Sequence, residues 1–205
     1  FNMRSLRFGL MTSQEILDAS CIEVTDADDL VSCKLGATRE SLCATCGQAH
    51  GVCGGHFGCI KMPFDIVHPL HYRTACGIVR GVCHTCFKRN KCICEQRTTQ
   101  STASVVDVLR SVDAAEWKDV IRHGKPTDLI LSVLPVPPMA MRPPNDQYAN
   151  SLTSHLLTIL RAVHRYARVK QKGGTAAAMH ASCQNVIRRV NDYFFAPSDS
   201  RSPGL

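Results

Sequence analysis

Cysteine and histidine concentrate in two short clusters along this chain. The first runs Cys43-Ala-Thr-Cys46, then six residues, then Cys53-Gly-Gly-His56. Two residues separate the members of each pair, a gap that lets a tight turn bring two donor atoms to one side of a knuckle. Three thiolates and one imidazole form a soft-to-borderline donor set. Four of them in two pairs suit a tetrahedral Zn2+ and leave no coordination position open, which marks a structural centre rather than a catalytic one. Glycines within and after the pairs supply the backbone freedom that such turns need. A redox Cys-x-x-Cys or two disulfides would be the competing chemistry. Neither accounts for His56 standing at knuckle spacing from Cys53.

The second cluster holds Cys76, Cys83-His-Thr-Cys86, Cys92 and Cys94. Cys83 and Cys86 form another knuckle. Cys92 and Cys94 complete a second Zn2+ set, but residues two apart on an extended chain lie about 6.6 Å from each other. A local turn must close them on one ion, and Cys76 or His84 are the alternatives. Lys88, Arg89, Lys91 and Arg97 surround this cluster. Their charge favours thiolates and also nearby phosphates. His68 and His71, in an apolar run, read as packing residues.

Composition bounds what these centres belong to. The chain has 205 residues, twelve cysteines and a net charge of +7. No run of eighteen apolar residues occurs, so no membrane helix is expected. The first ten residues lack a secretory pattern, which places the cysteines in a reducing compartment as ligands and buried thiols. Phe1 in place of a start methionine suggests part of a longer chain. Charge is uneven: residues 1–42 hold four basic and seven acidic side chains, residues 43–100 seven and two, and residues 151–205 eight and two. The two basic blocks are compatible with a phosphate-facing surface.

The elements that must position these groups follow in order. Arg7–Leu10 reads as extended, and Thr12-Ser-Gln-Glu15 as a capping box opening a helix over 13–20. Phe57–Met62 reads as a strand ending at Pro63. Residues 98–104 form a polar linker. Helices are expected over 102–112 and from Asp113 to Gly124, with Trp117 in the core. Asp128–Leu134 is a strand. Five prolines between Pro135 and Pro144 force a stiff, extended course, and Arg142 among them is available to an anion. Two long helices, 150–171 and 175–195, carry apolar stripes. Leu152, Leu156, Ile159, Leu160, Val163 and Ala167 face Met179, Cys183, Val186, Ile187, Val190 and Phe194. A Gly-Gly turn makes them an antiparallel hairpin. Arg161, Arg165, Arg168, Lys170 and Lys172 gather toward its tip. The fold class is therefore α+β, mainly α, with small zinc-stabilised, loop-rich modules.

Several of these stretches together resemble the N-terminal clamp region of the largest subunit of multisubunit DNA-dependent RNA polymerases, of the eukaryotic, archaeal and large-DNA-virus type. They are Arg7-Phe-Gly-Leu-Met-Thr-Ser-Gln-Glu15, Leu35-Gly36 with the Cys43/Cys46/Cys53/His56-Phe-Gly motif, Pro63–Val67, Cys83-x-x-Cys86, Leu134-Pro-Val-Pro-Pro with Arg142-Pro143, and the closing helices. The resemblance implies a clamp with a coiled-coil hairpin. Its parts would be an N-terminal strand and helix (1–42), a zinc-binding module (43–100), a helical hairpin with a Pro-rich connector (101–149), and the coiled-coil hairpin with its tail (150–205).

The resemblance further implies partners: other polymerase subunits including the second-largest, the DNA template with its RNA–DNA hybrid, and an initiation factor at Arg161, Arg165, Arg168, Lys170 and Lys172. Lys88, Arg89, Lys91 and Arg142 are the expected phosphate contacts. The magnesium-binding motif Asn-Ala-Asp-Phe-Asp-Gly-Asp does not occur in the sequence, so Mg2+ and nucleotidyl transfer are expected outside this segment. The location implied is intracellular: the nucleus for a cellular eukaryote, or a virus factory, nucleus or virion for a virus. A free-standing zinc-binding adaptor and a thiol oxidoreductase are the readings from other classes.

Overall fold

The computed structural model describes residues 9–89, 94, 104–121, 124–142 and 151–195. Arg7 and Phe8, Lys91, Cys92, Arg97, most of the 98–104 linker, Pro143, Pro144 and the tail from 196 lie outside the described residues. The fold is mixed α/β. About half of the described residues are helical, and one sheet has three strands, β1 (Ser20–Glu23), β2 (Phe57–Val67) and β3 (Ile130–Val136), in that order. The helices are α1 (Ser13–Ala19), α2 (Tyr72–Arg80), α3 (Val105–Ser111), α4 (Ser151–Gln171) and α5 (Ala176–Phe195).

β1 and β2 run parallel, with Ser20 opposite Phe57 and Glu23 opposite Cys59. A parallel pair needs a long crossover, usually a helix. Here the crossover is residues 24–56, which hold two short 3-10 turns and the first cysteine cluster. β2 does not stop at Pro63 as expected but runs on to Val67. β1 pairs only near residues 57–59, so Pro63 lies beyond its end, where one edge of β2 needs no donor.

The chain divides into two compact units, Phe1–Gln14 with Phe64–Ser132, and Glu15–Pro63 with Val133–Leu205. In the first, Ala75 and Ile78 of α2, Val82, Val108 and Leu109 of α3, Val112, Trp117 and Leu129 form a buried core. Ser104 caps α3 in a reciprocal box with Asp107. The helix expected from Asp113 is instead a 3-10 turn, Ala114–Trp117. Glu116 should have reached back to close a capping box, but its carboxylate accepts the Arg89 backbone N–H at 2.9 Å.

In the second unit α4 and α5 pair as the expected hairpin. Gly173 adopts φ +63°, the Gly174 N–H bonds Val169 O (2.9 Å) and the Gly173 N–H bonds Lys170 O (3.2 Å). This Schellman motif satisfies the last carbonyls of α4. Thr175 Oγ1 then accepts the Ala178 N–H and starts α5. The seam is turned from the expected stripe. Ala162 and Tyr166 are buried with Leu156, Ile159 and Leu160, whereas Ala167 is exposed; on α5, Ser182 joins Val186 and Val190. The seam of α4 therefore lies toward Ala162 and Tyr166 rather than along Val163 and Ala167. Among the described residues, no helix is long and apolar enough to cross a membrane.

Candidate metal centres

Both cysteine knuckles are one backbone device built twice. The Cys43 N–H bonds Gln48 O (2.9 Å) and the Gly47 N–H bonds Cys43 O (2.8 Å). In the second knuckle the Cys83 N–H bonds Lys88 O (2.9 Å) and the Phe87 N–H bonds Cys83 O (2.8 Å). The residue after the second cysteine is left-handed in both, Gly47 at φ +71° and Phe87 at φ +56°. Phe87 is the one non-glycine with positive φ among the described residues. This conformation costs a side-chain-bearing residue roughly 1–2 kcal/mol. Phe87 offsets it by packing against the core that holds Trp117.

A stability prediction follows from that balance. Phe87→Gly loses the packing but relieves the strain, whereas Phe87→Ala loses the packing and keeps the strain. Denaturant titration of the metal-loaded chain should rank the Gly variant above the Ala variant by about 1 kcal/mol. Equal stabilities would show that the second knuckle does not require a left-handed residue there.

In the first group the donor atoms of Cys43, Cys46, Cys53 and His56 all lie within 4.8 Å of one another. Cys46 Sγ and Cys53 Sγ are 3.5 Å apart, and Cys53 Sγ is 3.7 Å from His56 Nε2. A tetrahedral ion with zinc-like bond lengths requires edges of about 3.8 Å between sulfurs and about 3.6 Å between sulfur and nitrogen. The observed spacings fit that figure and are far too long for a disulfide. This donor set can therefore hold a metal ion.

The surroundings favour thiolates at two of the three sulfurs. Desolvation works against the Cys43 thiolate, but backbone N–H groups of Cys46 and Thr45 outweigh it and hold the thiol below its ordinary value. Backbone N–H groups of Ala37 and Gly55 lower Cys53. The Gln48 N–H favours the Cys46 thiolate, but burial and the sulfurs of Cys53 and Cys43 overcome it and push that thiol up.

Outside the ligands, Thr45 Oγ1 and Cys21 Sγ both donate to Lys34 O, at 2.7 and 3.2 Å, and the His56 N–H bonds Leu35 O (3.0 Å). Gly55, at φ +83°, has Pro138 so close that a Cβ would stand 2.5 Å from the proline ring. The Pro-rich stretch thus seats the turn of the second ligand pair, between Cys53 and His56. No local signal in the sequence announces this contact.

The second group brings together Cys83, Cys86 and Cys94, again within 4.8 Å. It too can hold a metal ion. Cys92 lies outside the described residues. Neither alternative joins the group: Cys76, on α2, hydrogen-bonds Tyr72, and His84 is not among its members.

Two expected phosphate contacts have partners within the protein. Arg89 grips Asp119 with both terminal nitrogens (2.8 and 2.9 Å), donates to Glu116 O (3.0 Å) and lies 4.7 Å over the Trp117 ring. Arg142 is only 4% exposed and donates to Pro137 O, Thr153 Oγ1 and Leu30 O. Arg142 is thus enclosed, whereas the Arg89 side chain stays 42% exposed beside Asp119. Lys88 is exposed, and Lys91 lies outside the described residues. All five hairpin cations are exposed. Arg161, Arg165 and Arg168 share one face of α4, away from the seam, and Lys172, just past the helix end, continues the spacing through its N–H to Arg168 O (3.0 Å). Lys170 stands half a turn from them. α4 contains no acidic residue.

Comparison with known proteins places this arrangement. No family model matches the chain. It is 22% identical to the DNA-directed RNA polymerase subunit Rpo1N of Methanothermobacter thermautotrophicus over an alignment of 263 positions, covering 92% of the chain and 30% of that protein. It is 33% identical to Rpo1N of Halobacterium salinarum over 93 residues, 40% of the chain and 10% of that protein. It is 32% identical over 92 residues to a probable DNA-directed RNA polymerase II subunit RPB1 homolog of Invertebrate iridescent virus 6, 41% of the chain and 9% of that protein. The chain is thus similar to subunits of DNA-directed RNA polymerases. It spans between 9% and 30% of the length of these relatives. The resemblance read from the motifs therefore holds, with archaeal and viral relatives alike.

Proposed function

We propose that this chain is the clamp portion of the largest subunit of a DNA-dependent RNA polymerase. It closes on DNA and the RNA–DNA hybrid, and catalysis rests with Mg2+-binding residues elsewhere in the enzyme. The observation that carries this reading is a single alignment to a polymerase largest subunit across 92% of the chain. Both cysteine groups hold Zn2+ in this reading. Cys43, Cys46, Cys53 and His56 bind the first ion, and Cys83, Cys86, Cys94 and Cys92 bind the second. The ions supply rigidity, because a closed set of thiolates and imidazole offers a substrate no position. Lys88 and Lys91 contact phosphates without reading bases, so binding weakens steeply with salt. The second-largest subunit is the expected companion, in a reducing compartment of a cell or of a virus-infected cell.

The α4–α5 hairpin faces an initiation factor in this reading. Its four-cation face lacks acids to neutralise it, which suits an acidic protein surface. Isolation from the native source at mild salt should bring down a large assembly with magnesium-dependent RNA synthesis. A lone particle of the chain's own mass with bound zinc would favour the adaptor reading instead. Within that assembly, Arg165→Glu with Arg168→Glu should cut factor-dependent initiation severalfold and leave elongation on a preformed scaffold unchanged. Equal loss of both activities would remove the hairpin from the initiation role.

A further inference from the structure

The second knuckle is stitched into the core of its unit on both sides. Before it, Gly81 lies so close to the indole of Trp117 that a Cβ would stand 2.7 Å from the ring. After it, Phe87 packs on the same core in a left-handed conformation. Arg89 then lies 4.7 Å over the Trp117 ring and clamps the turn that carries the indole through Glu116 and Asp119. Trp117 is 3% exposed. A strained Phe87 and an Arg89 tied to Glu116 and Asp119 both follow a turn whose sulfurs lie within reach of one metal ion. Without it, the turn keeps its bonds from the Cys83 N–H to Lys88 O and from the Phe87 N–H to Cys83 O but loses the tie between its sulfurs and Cys94, so the strain at Phe87 has room to relax.

We propose that metal occupancy of the Cys83/Cys86/Cys94 group sets the packing of Trp117, with Phe87 and Arg89 transmitting it. The device couples a metal- or thiol-sensitive site to the core formed by α2, α3 and the Ala114–Trp117 turn. Loss of the ion releases Arg89 from Asp119 and opens the indole to solvent. The proposal rests on the reading that this group holds Zn2+. Its consequence is a built-in reporter, since Trp117 is the only tryptophan in the sequence.

The test uses the whole zinc-loaded chain, reading metal content and Trp117 emission together. Cys86→Ser should lose one zinc, shift the emission to longer wavelength and raise acrylamide quenching toward that of the denatured chain. Cys46→Ser should lose the other zinc and leave the emission in place. Where Cys86→Ser does not fold, chelation of the wild type serves, with the shift reversed by adding Zn2+ back. Arg89→Met should keep both ions yet give little further shift on chelation. A full chelation shift in Arg89→Met, or loss of the second ion with unchanged emission, would overturn the coupling. A metal content of one per chain that persists in Cys86→Ser would overturn the metal reading of this group, and the coupling with it.

Discussion

Stripping metal from the first centre, by chelation or by Cys53→Ser, is expected to unfold the loop of residues 39–56 and free β1 from β2. Across residues 39–52 every side chain is exposed except that of Cys43. Leu42 and Val52 are 63% and 71% exposed, so apolar burial contributes almost nothing there. A structural zinc contributes roughly 10 kcal/mol or more to a small unit, against a typical domain stability of about 5–15 kcal/mol. Nothing else in the loop approaches that size. Because this loop is also the crossover between two parallel strands, its loss should propagate to the Ser20–Glu23 pairing. The knuckle amides of Cys43 and Gly47 should lose hydrogen-exchange protection on chelation, and proteases should cut within 39–52. Re-addition of Zn2+ should restore both. Acidification should act in the same direction, since protons compete with the metal for thiolates. An apo chain that protects these amides as well as the loaded one would show that the loop folds without metal.

That expectation was readable from the sequence because metal-ligand spacing is local. Cys43, Cys46, Cys53 and His56 lie within fourteen residues, and their chemistry dictates the turn between them. The α4–α5 hairpin was readable for a different reason: its apolar repeat is long enough for the period to stand out, and Gly173 and Gly174 mark its turn. What the sequence hid lies in partnerships across distance. Arg89 meets Asp119 thirty positions away, and Arg142 meets Leu30 across 112. Both looked like free cations because a side chain's partner does not show in its neighbours. α2 was missed because its stripe is short, with Ala75 and Ile78 alone buried, and because Gly77 weakens its helical signal. Pro63 misled because a proline ends a strand only where its missing N–H was needed.

Arg142 supplies the second large effect. Its guanidinium touches three segments of one unit: the turn at Asp29–Val31 through Leu30 O, the proline-rich exit of β3 through Pro137 O, and the first turn of α4 through Thr153 Oγ1. Desolvation pulls it below its ordinary value, and no carboxylate partners it among the described residues. The residue is a cation held by neutral acceptors, which makes its hydrogen bonds the whole of its compensation. Arg142→Met relieves the buried charge but leaves the carbonyls of Leu30 and Pro137 without their donor. Each such group costs about 1–3 kcal/mol, so the variant should lose about 2–4 kcal/mol of stability. Arg142→Lys should recover little of it, because one ammonium cannot reach acceptors spread along a planar fork. The same pair of variants separates this role from a phosphate contact. Loss of a phosphate contact would lower the salt slope of DNA binding by about 1. A structural Arg142 leaves that slope unchanged while denaturation midpoints fall. Unchanged midpoints with a reduced slope would return Arg142 to the nucleic-acid surface and require its side chain to leave the site at the base of the hairpin.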